Sequence, residues 1–204
     1  MTRTVGILVF DEVEVLDFAG PFEVFSVCGR RNQLDLFRVV TVSERGQPIA
    51  ARNGLLVMPT HSFANSPPLD LVLVPGGFGT RREMKNAVML EWVRTTAQRA
   101  EAVLSVCTGS LVLGSAGLLD GLHATTHFLA FDELRAVAPR ATIHEGSRYV
   151  DNGKIVCSAG VSAGIDMSLH VIRRLHGDDL AREAARYMEY EGRWDSNERV
   201  IVAS

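Results

Sequence analysis

At 204 residues the chain is long enough to bury a sizeable core and fits one domain, residues 1–204. Its net charge is only −3, and Arg30-Arg31, Arg81-Arg82 and Arg173-Arg174 are isolated doublets with no basic run, so nucleic acid is not an expected partner. The opening apolar run is too short and too interrupted by acid to span a bilayer, no signal-peptide cleavage pattern follows it, and three cysteines, an odd number, argue against a disulfide framework; no membrane association and a reducing cytoplasm are expected.

Short apolar runs alternate with helical patterns. Residues 4–10, TVGILVF, form a continuous apolar run, as in a strand buried on both faces. Phe18 to Arg31 reads as a helix with Pro21 in its first turn. Residues 36–43 predict a strand, 55–59 a short one, and 67–77 a turn, a strand and a glycine loop. A helix from Asn86 to Arg99 follows, with Leu90, Val93 and Ala97 at helical spacing. Residues 102–106, AVLSV, are a strand; 108–119 and 128–137 are helices. Residues 147–158 predict a hairpin turning at Asn152-Gly153. Residues 161–177 predict a helix stopped by glycine, and Leu180 to Tyr190 the last one. This alternation implies an α/β fold with a mainly parallel sheet between helical layers. In such folds chemistry collects beyond the carboxyl ends of the strands, which singles out the loops after Phe10, after Pro75 and at Cys107.

Ser105-Val106-Cys107-Thr108-Gly109 has the small-x-nucleophile-x-small form of a nucleophile elbow between strand and helix. The helix N-terminus would favour the thiolate, the nucleophilic form. A buried cysteine used as a small hydrophobe is the alternative reading, and the one that suits Cys28 and Cys157. In VPGGFGT (74–80), Gly76 and Gly77 offer backbone N–H groups for a developing negative charge; no phosphate-loop pattern is present. Asp17, beyond the first strand, suits either a helix cap or a general acid beside the sulfur; Asp11, Glu12 and Glu14 read as a solvated loop. His127, after two threonines, either orients the thiol or packs near the surface. His123 and His127 are four apart, but Gly121 and the threonines disfavour a helix and no third ligand follows, so no metal is expected.

VLDFAGP, VPGG, SVCTGSLVLGSAGLLDG, ATTHF and SAGVSAGID together resemble the ThiJ/PfpI superfamily, over roughly residues 4 to 190. Within it the chain is most similar to isocyanide (isonitrile) hydratases and to the amidase-like sensor halves of AraC-type regulators. The resemblance implies a flavodoxin-like three-layer sandwich, related to the class I glutamine amidotransferase fold, and a homodimer. It implies that Cys107 is the reactive cysteine, with its acidic partner at Asp17 and the superfamily's histidine position at His127. Donors for a developing charge would be the N–H groups of Gly76, Gly77 and Thr108. The activity it implies is a cofactor-free addition of water to a small-molecule electrophile, an isocyanide giving an N-substituted formamide. Glyoxalase or deglycase chemistry on 2-oxoaldehydes, and a non-catalytic redox or ligand sensor, are the competing expectations. The H-x-E of class I amidotransferases is absent, since His176 is followed by Gly177-Asp178. The sequence stops at Ser204, which leaves no room for a helix-turn-helix and weighs against the regulator reading; the tail is expected to close either the pocket or a dimer interface.

Overall fold

The computed structural model describes residues 2–192, 194–196 and 199–203. In chain order the elements are β1 (Arg3–Leu8), α1 (Val15–Val27), β2 (Phe37–Ser43), β3 (Ile49–Ala50), β4 (Leu56–Val57), β5 (His61–Ser62), β6 (Leu71–Val74), α2 (Thr80–Glu83), α3 (Ala87–Arg99) and β7 (Ala102–Val106). They continue with α4 (Gly109–Ser115), β8 (His123–Ala124), α5 (Phe131–Val137), β9 (Thr142–Ile143), β10 (Tyr149–Asp151), β11 (Ile155–Ser158), α6 (Ala163–His176), α7 (Asp178–Tyr187) and β12 (Val200–Val202).

The central sheet runs β12-β10-β11-β7-β6-β1-β2-β5. It is parallel except where the β10–β11 hairpin turns back, and β12 follows β10. The hairpin forms at Asn152-Gly153 as expected, with Gly153 at φ +82°. Strands β6, β7 and β11 are buried throughout, which explains why they read as unbroken apolar runs. Helices α1, α6 and α7 pack together on one face, and α2, α3 and α5 gather around α4 on the other. This is the three-layer α/β sandwich expected from the sequence.

Boundaries moved where side-chain chemistry outweighed periodicity. Helix α1 starts at Val15, three residues earlier than expected, and ends at Val27; Arg30–Asn32 is a separate 3-10 turn. Pro21 therefore lies inside the helix, not in its first turn, and its missing N–H leaves the Asp17 carbonyl without the usual i−4 bond. Helix α5 starts three residues later than expected, because His127 to Ala130 form a turn closed by the Ala130 N–H on the His127 carbonyl at 2.8 Å. The 55–59 segment contributes β4, which pairs with β3 outside the main sheet. At α3, Asn86 is the cap itself, its side chain accepting from the Val88 and Met89 N–H groups.

Candidate active site

Going outward from β1, the sheet order turns one way to β2 and the other way to β6, so a crevice opens at the carboxyl ends of β1 and β6. Two loops close over it. The Glu14 N–H donates to the Gly76 carbonyl at 2.9 Å, and Val13 bridges Gly77. This stitch brings the start of α1 against the glycine loop after β6.

Asp17 sits on the third residue of α1 and is completely buried. It is not the helix cap; Glu14 occupies that position. Its Oδ2 accepts the Gly76 N–H at 2.9 Å, and Oδ1 has no hydrogen-bond partner among the described residues. Burial pushes this carboxyl up to about 7; the Gly76 N–H opposes the shift, Glu14 adds to it, and the Cys107 thiol and Val161 N–H oppose it more weakly. Glu14 is half-buried, not the solvated loop residue its neighbours Asp11 and Glu12 are.

Cys107 follows β7 with φ +57°, the left-handed conformation of an elbow, unusual for a residue other than glycine. Its N–H is shared by the Ser158 and Ala159 carbonyls at 3.2 and 3.1 Å. Its carbonyl accepts from Thr126 Oγ1 at 2.9 Å and Ser110 Oγ at 3.1 Å. These four contacts over-determine the backbone and hold the strained turn. The thiol is buried, with 6% of the residue exposed. Burial first, and the Asp17 charge second, push it up to about 12, against the opposing pull of the Thr108 N–H. The sequence expectation of a free thiolate maintained by the helix end is thereby altered: the sulfur and the carboxyl form one coupled pair.

The glycine loop also differs from expectation in detail. The Gly76 N–H is engaged by Asp17, and the Gly77 N–H donates to Thr108 Oγ1 at 3.0 Å. Both expected donors thus hold Asp17 and Thr108 in place. Thr80 Oγ1 lies 3.0 Å from Thr108 Oγ1 and 2.6 Å from the Gly77 carbonyl, which Arg81 also reaches. Arg81 is fixed in turn by Glu133 on α5. Sequence reasoning gave no role to Thr80, Arg81, Thr126 and Val161, although Thr80, Thr126 and Val161 lie in the quoted VPGGFGT, ATTHF and SAGVSAGID strings.

His127 is half-buried, lies tilted at 37° to Phe128 with ring centroids 4.6 Å apart, and makes no hydrogen bond to Cys107 among the described residues. Burial and the Arg81 charge lower its pKa, so the imidazole is neutral near pH 7. His123 is not its partner: His123 Nδ1 faces His144 Nε2 at 2.6 Å across the β8–β9 pair. Larger clefts lie elsewhere, one of 540 Å³ beside Asp11 and Arg82 and one of 740 Å³ beside α7, but neither is lined by the thiol.

Residues 3–174 match the DJ-1/PfpI family. The chain belongs to that family. An isonitrile hydratase from Pseudomonas putida is 37% identical over 190 residues, covering 93% of this chain and 79% of that protein. The transcriptional regulator CdhR of Pseudomonas aeruginosa is 32% identical, covering 89% of this chain and 53% of its own length, so the chain spans about half of that regulator. Among solved structures, a ThiJ/PfpI family protein from Pseudomonas syringae superposes with a TM-score of 0.85 at 30% identity, over 94% of this chain and 76% of that one. Drosophila melanogaster DJ-1beta, at 17% identity and a TM-score of 0.82 over 94% of this chain and 100% of its own, shares the fold. Among the described residues no helix is long and apolar enough to cross a membrane.

Proposed function

We propose that this DJ-1/PfpI member is a cysteine-dependent hydratase, adding water to a small electrophile, an isocyanide that becomes an N-substituted formamide. One observation carries the reading: the elbow sulfur and a fully buried carboxyl share one site, and the carboxyl titrates about 7. A group poised near neutrality can both take and return a proton. The 37% identity to an isonitrile hydratase supports the choice of substrate.

In the proposed sequence ionised Asp17 takes the Cys107 proton as the sulfur bonds to the terminal carbon of R–N≡C. The new carbanion centre recovers that proton from Asp17, giving a thioimidate, R–N=CH–S. Water then adds across the C=N bond, with one proton passing to nitrogen. The C–S bond breaks, the hydroxyl proton goes to the departing sulfur, and R–NH–CHO leaves with the free thiol restored. Atoms balance as isocyanide plus water, and Asp17 ends as it began. The Thr108 N–H stabilises charge on sulfur, and Gly76 and Gly77 keep Asp17 and Thr108 aligned. His127 has no proton-transfer role in this scheme. A homodimer remains part of the proposal.

Mixing the purified protein with a neutral aryl isocyanide should yield formamide, and Cys107→Ala should abolish it. Absence of turnover in protein whose Cys107 still reacts with a thiol probe would remove the hydratase reading. The match to regulators favours a second one, a ligand sensor using the same crevice; saturable ligand binding without turnover would support it.

A further inference from the structure

Behind the Cys107 turn lies a cavity of about 250 Å³ whose lining includes neither Cys107 nor Asp17 and which the hydratase chemistry leaves unassigned. Part of its wall is made by residues that hold the Cys107 backbone. Thr126 and Ala159 hydrogen-bond the Cys107 backbone. Val161 is β-branched yet held at φ +50°, a conformation such residues rarely adopt and one that marks functional loops. The volume is slightly below the usual range for ligand pockets and admits a body the size of one ring.

The walls specify the chemistry of that body. His127 lies against Gly160, where an added Cβ would fall 2.3 Å from its ring, so the imidazole is pinned as a flat surface. Phe128 lies tilted against it and stays 72% exposed, and Phe131 lines the same cavity. Among the described residues, the charged side chains lining the cavity are Arg148 and Arg199, and none is a carboxylate. Arg148 is neutralised from behind by Asp166, which Tyr190 also holds at 2.6 Å, and it donates to Ser162 Oγ. Arg199, preceding β12, anchors to the Gly146 carbonyl at 2.5 Å and sits at the exposed rim. Arg199 is the described tail residue that lines this cavity.

We infer that the cavity selects electrophiles carrying a ring and, on its far side, a carboxylate, with the ring against His127 and Phe128 and the anion on Arg199. The inference rests on the hydratase reading for its reaction but not for its test. Alkylation of Cys107 by 4-(iodoacetamido)benzoate should exceed that by neutral N-phenyl iodoacetamide by about tenfold, the size of one charge-assisted contact. Arg199→Gln should erase the preference, and Arg140→Gln, a remote surface cation, should leave the preference intact. Phe128→Ala should slow both aryl reagents relative to iodoacetamide itself. Equal rates in the wild type, or a preference that survives Arg199→Gln, would overturn the inference. A neutral isocyanide that turns over while the reagents show no preference defeats the cavity assignment alone; a clear preference without isocyanide turnover defeats the hydratase reading alone.

Discussion

Two aspartates, Asp17 and Asp151, are equally hidden from solvent at opposite ends of the sheet, and they behave oppositely. Asp17 has one short donor, the Gly76 N–H, and burial raises its pKa to about 7. Asp151 accepts from Arg174 at 2.6 and 2.7 Å, from the Gly153 N–H at 2.7 Å, and faces His170 Nε2 at 2.7 Å. Those partners outweigh its burial and hold its pKa below the ordinary carboxylate value. Burial alone therefore does not single out the proposed acid. What singles out Asp17 is burial without compensation, beside the proposed nucleophile.

The comparison breaks most sharply under isosteric substitution. Asp17→Asn keeps an acceptor for the Gly76 N–H but cannot carry a proton. Turnover should fall by about 10² to 10⁴, the usual worth of a positioned acid–base group. The fold should persist, which a thermal melt beside the rate assay checks. Asp151→Ala should do the reverse. It strands Arg174 and His170 beside a lost charge and should cost about 3–5 kcal/mol, read by denaturant unfolding. Activity per folded molecule should stay near wild type.

The pH dependences separate the two carboxylates again. The coupled pair holds two protons below about pH 7 and one above it, and only the singly protonated pair can pass a proton from sulfur to Asp17. kcat/KM should fall about tenfold per pH unit below about 7 and level off above it. A rate that instead declines above 7 would mean that the form losing its proton near 7 is the active one, and would overturn this assignment. Stability follows the same groups. The Asp17 carboxyl is raised on folding, so the native state binds the extra proton between the unfolded value of 3.8 and about 7, and stability drops as pH rises across that window. Asp17→Asn should flatten that slope, a gain of roughly 1–4 kcal/mol at pH 8 in urea titrations. Asp151 is lowered on folding, so its contribution is present above its unfolded value of 3.8 and is lost as acid protonates the native carboxylate.

Much of this was readable before any coordinates. Buried strands announce themselves as apolar runs, and residues 102–106 were placed to the residue. Motif and resemblance single out Cys107 and Asp17, and the structure puts the first on a left-handed turn after β7 and the second fully buried in α1. The state of the pair did not: sequence shows that a helix follows Cys107, but not that the sulfur is buried beside a second acid. Nor does it show that the Gly76 and Gly77 N–H groups are occupied, because hydrogen bonds spanning 59 and 31 residues leave no local trace. The strands β5, β8 and β9, two residues each, lie below any usable periodicity, and Asp151 looks like an ordinary turn residue before Asn152-Gly153.

The finest test compares the two glycines whose N–H groups serve these carboxylates. At Gly153, φ is +82° and an added Cβ would meet nothing within 4 Å. Gly153→Ala should therefore cost only backbone strain, about 1 kcal/mol, with turnover unchanged. At Gly76 the new Cβ would lie 2.6 Å from the Thr108 nitrogen and 2.8 Å from Asp17 Oδ2. Room must come from the acid or from the residue after the nucleophile. Gly76→Ala should cost about 1–3 kcal/mol as overpacking. Turnover should also fall, because misplacement of a reacting group by about 1 Å is worth about a hundredfold. If both variants lose stability alike and both keep their activity, Gly76 is packing and the alignment assigned to it is wrong.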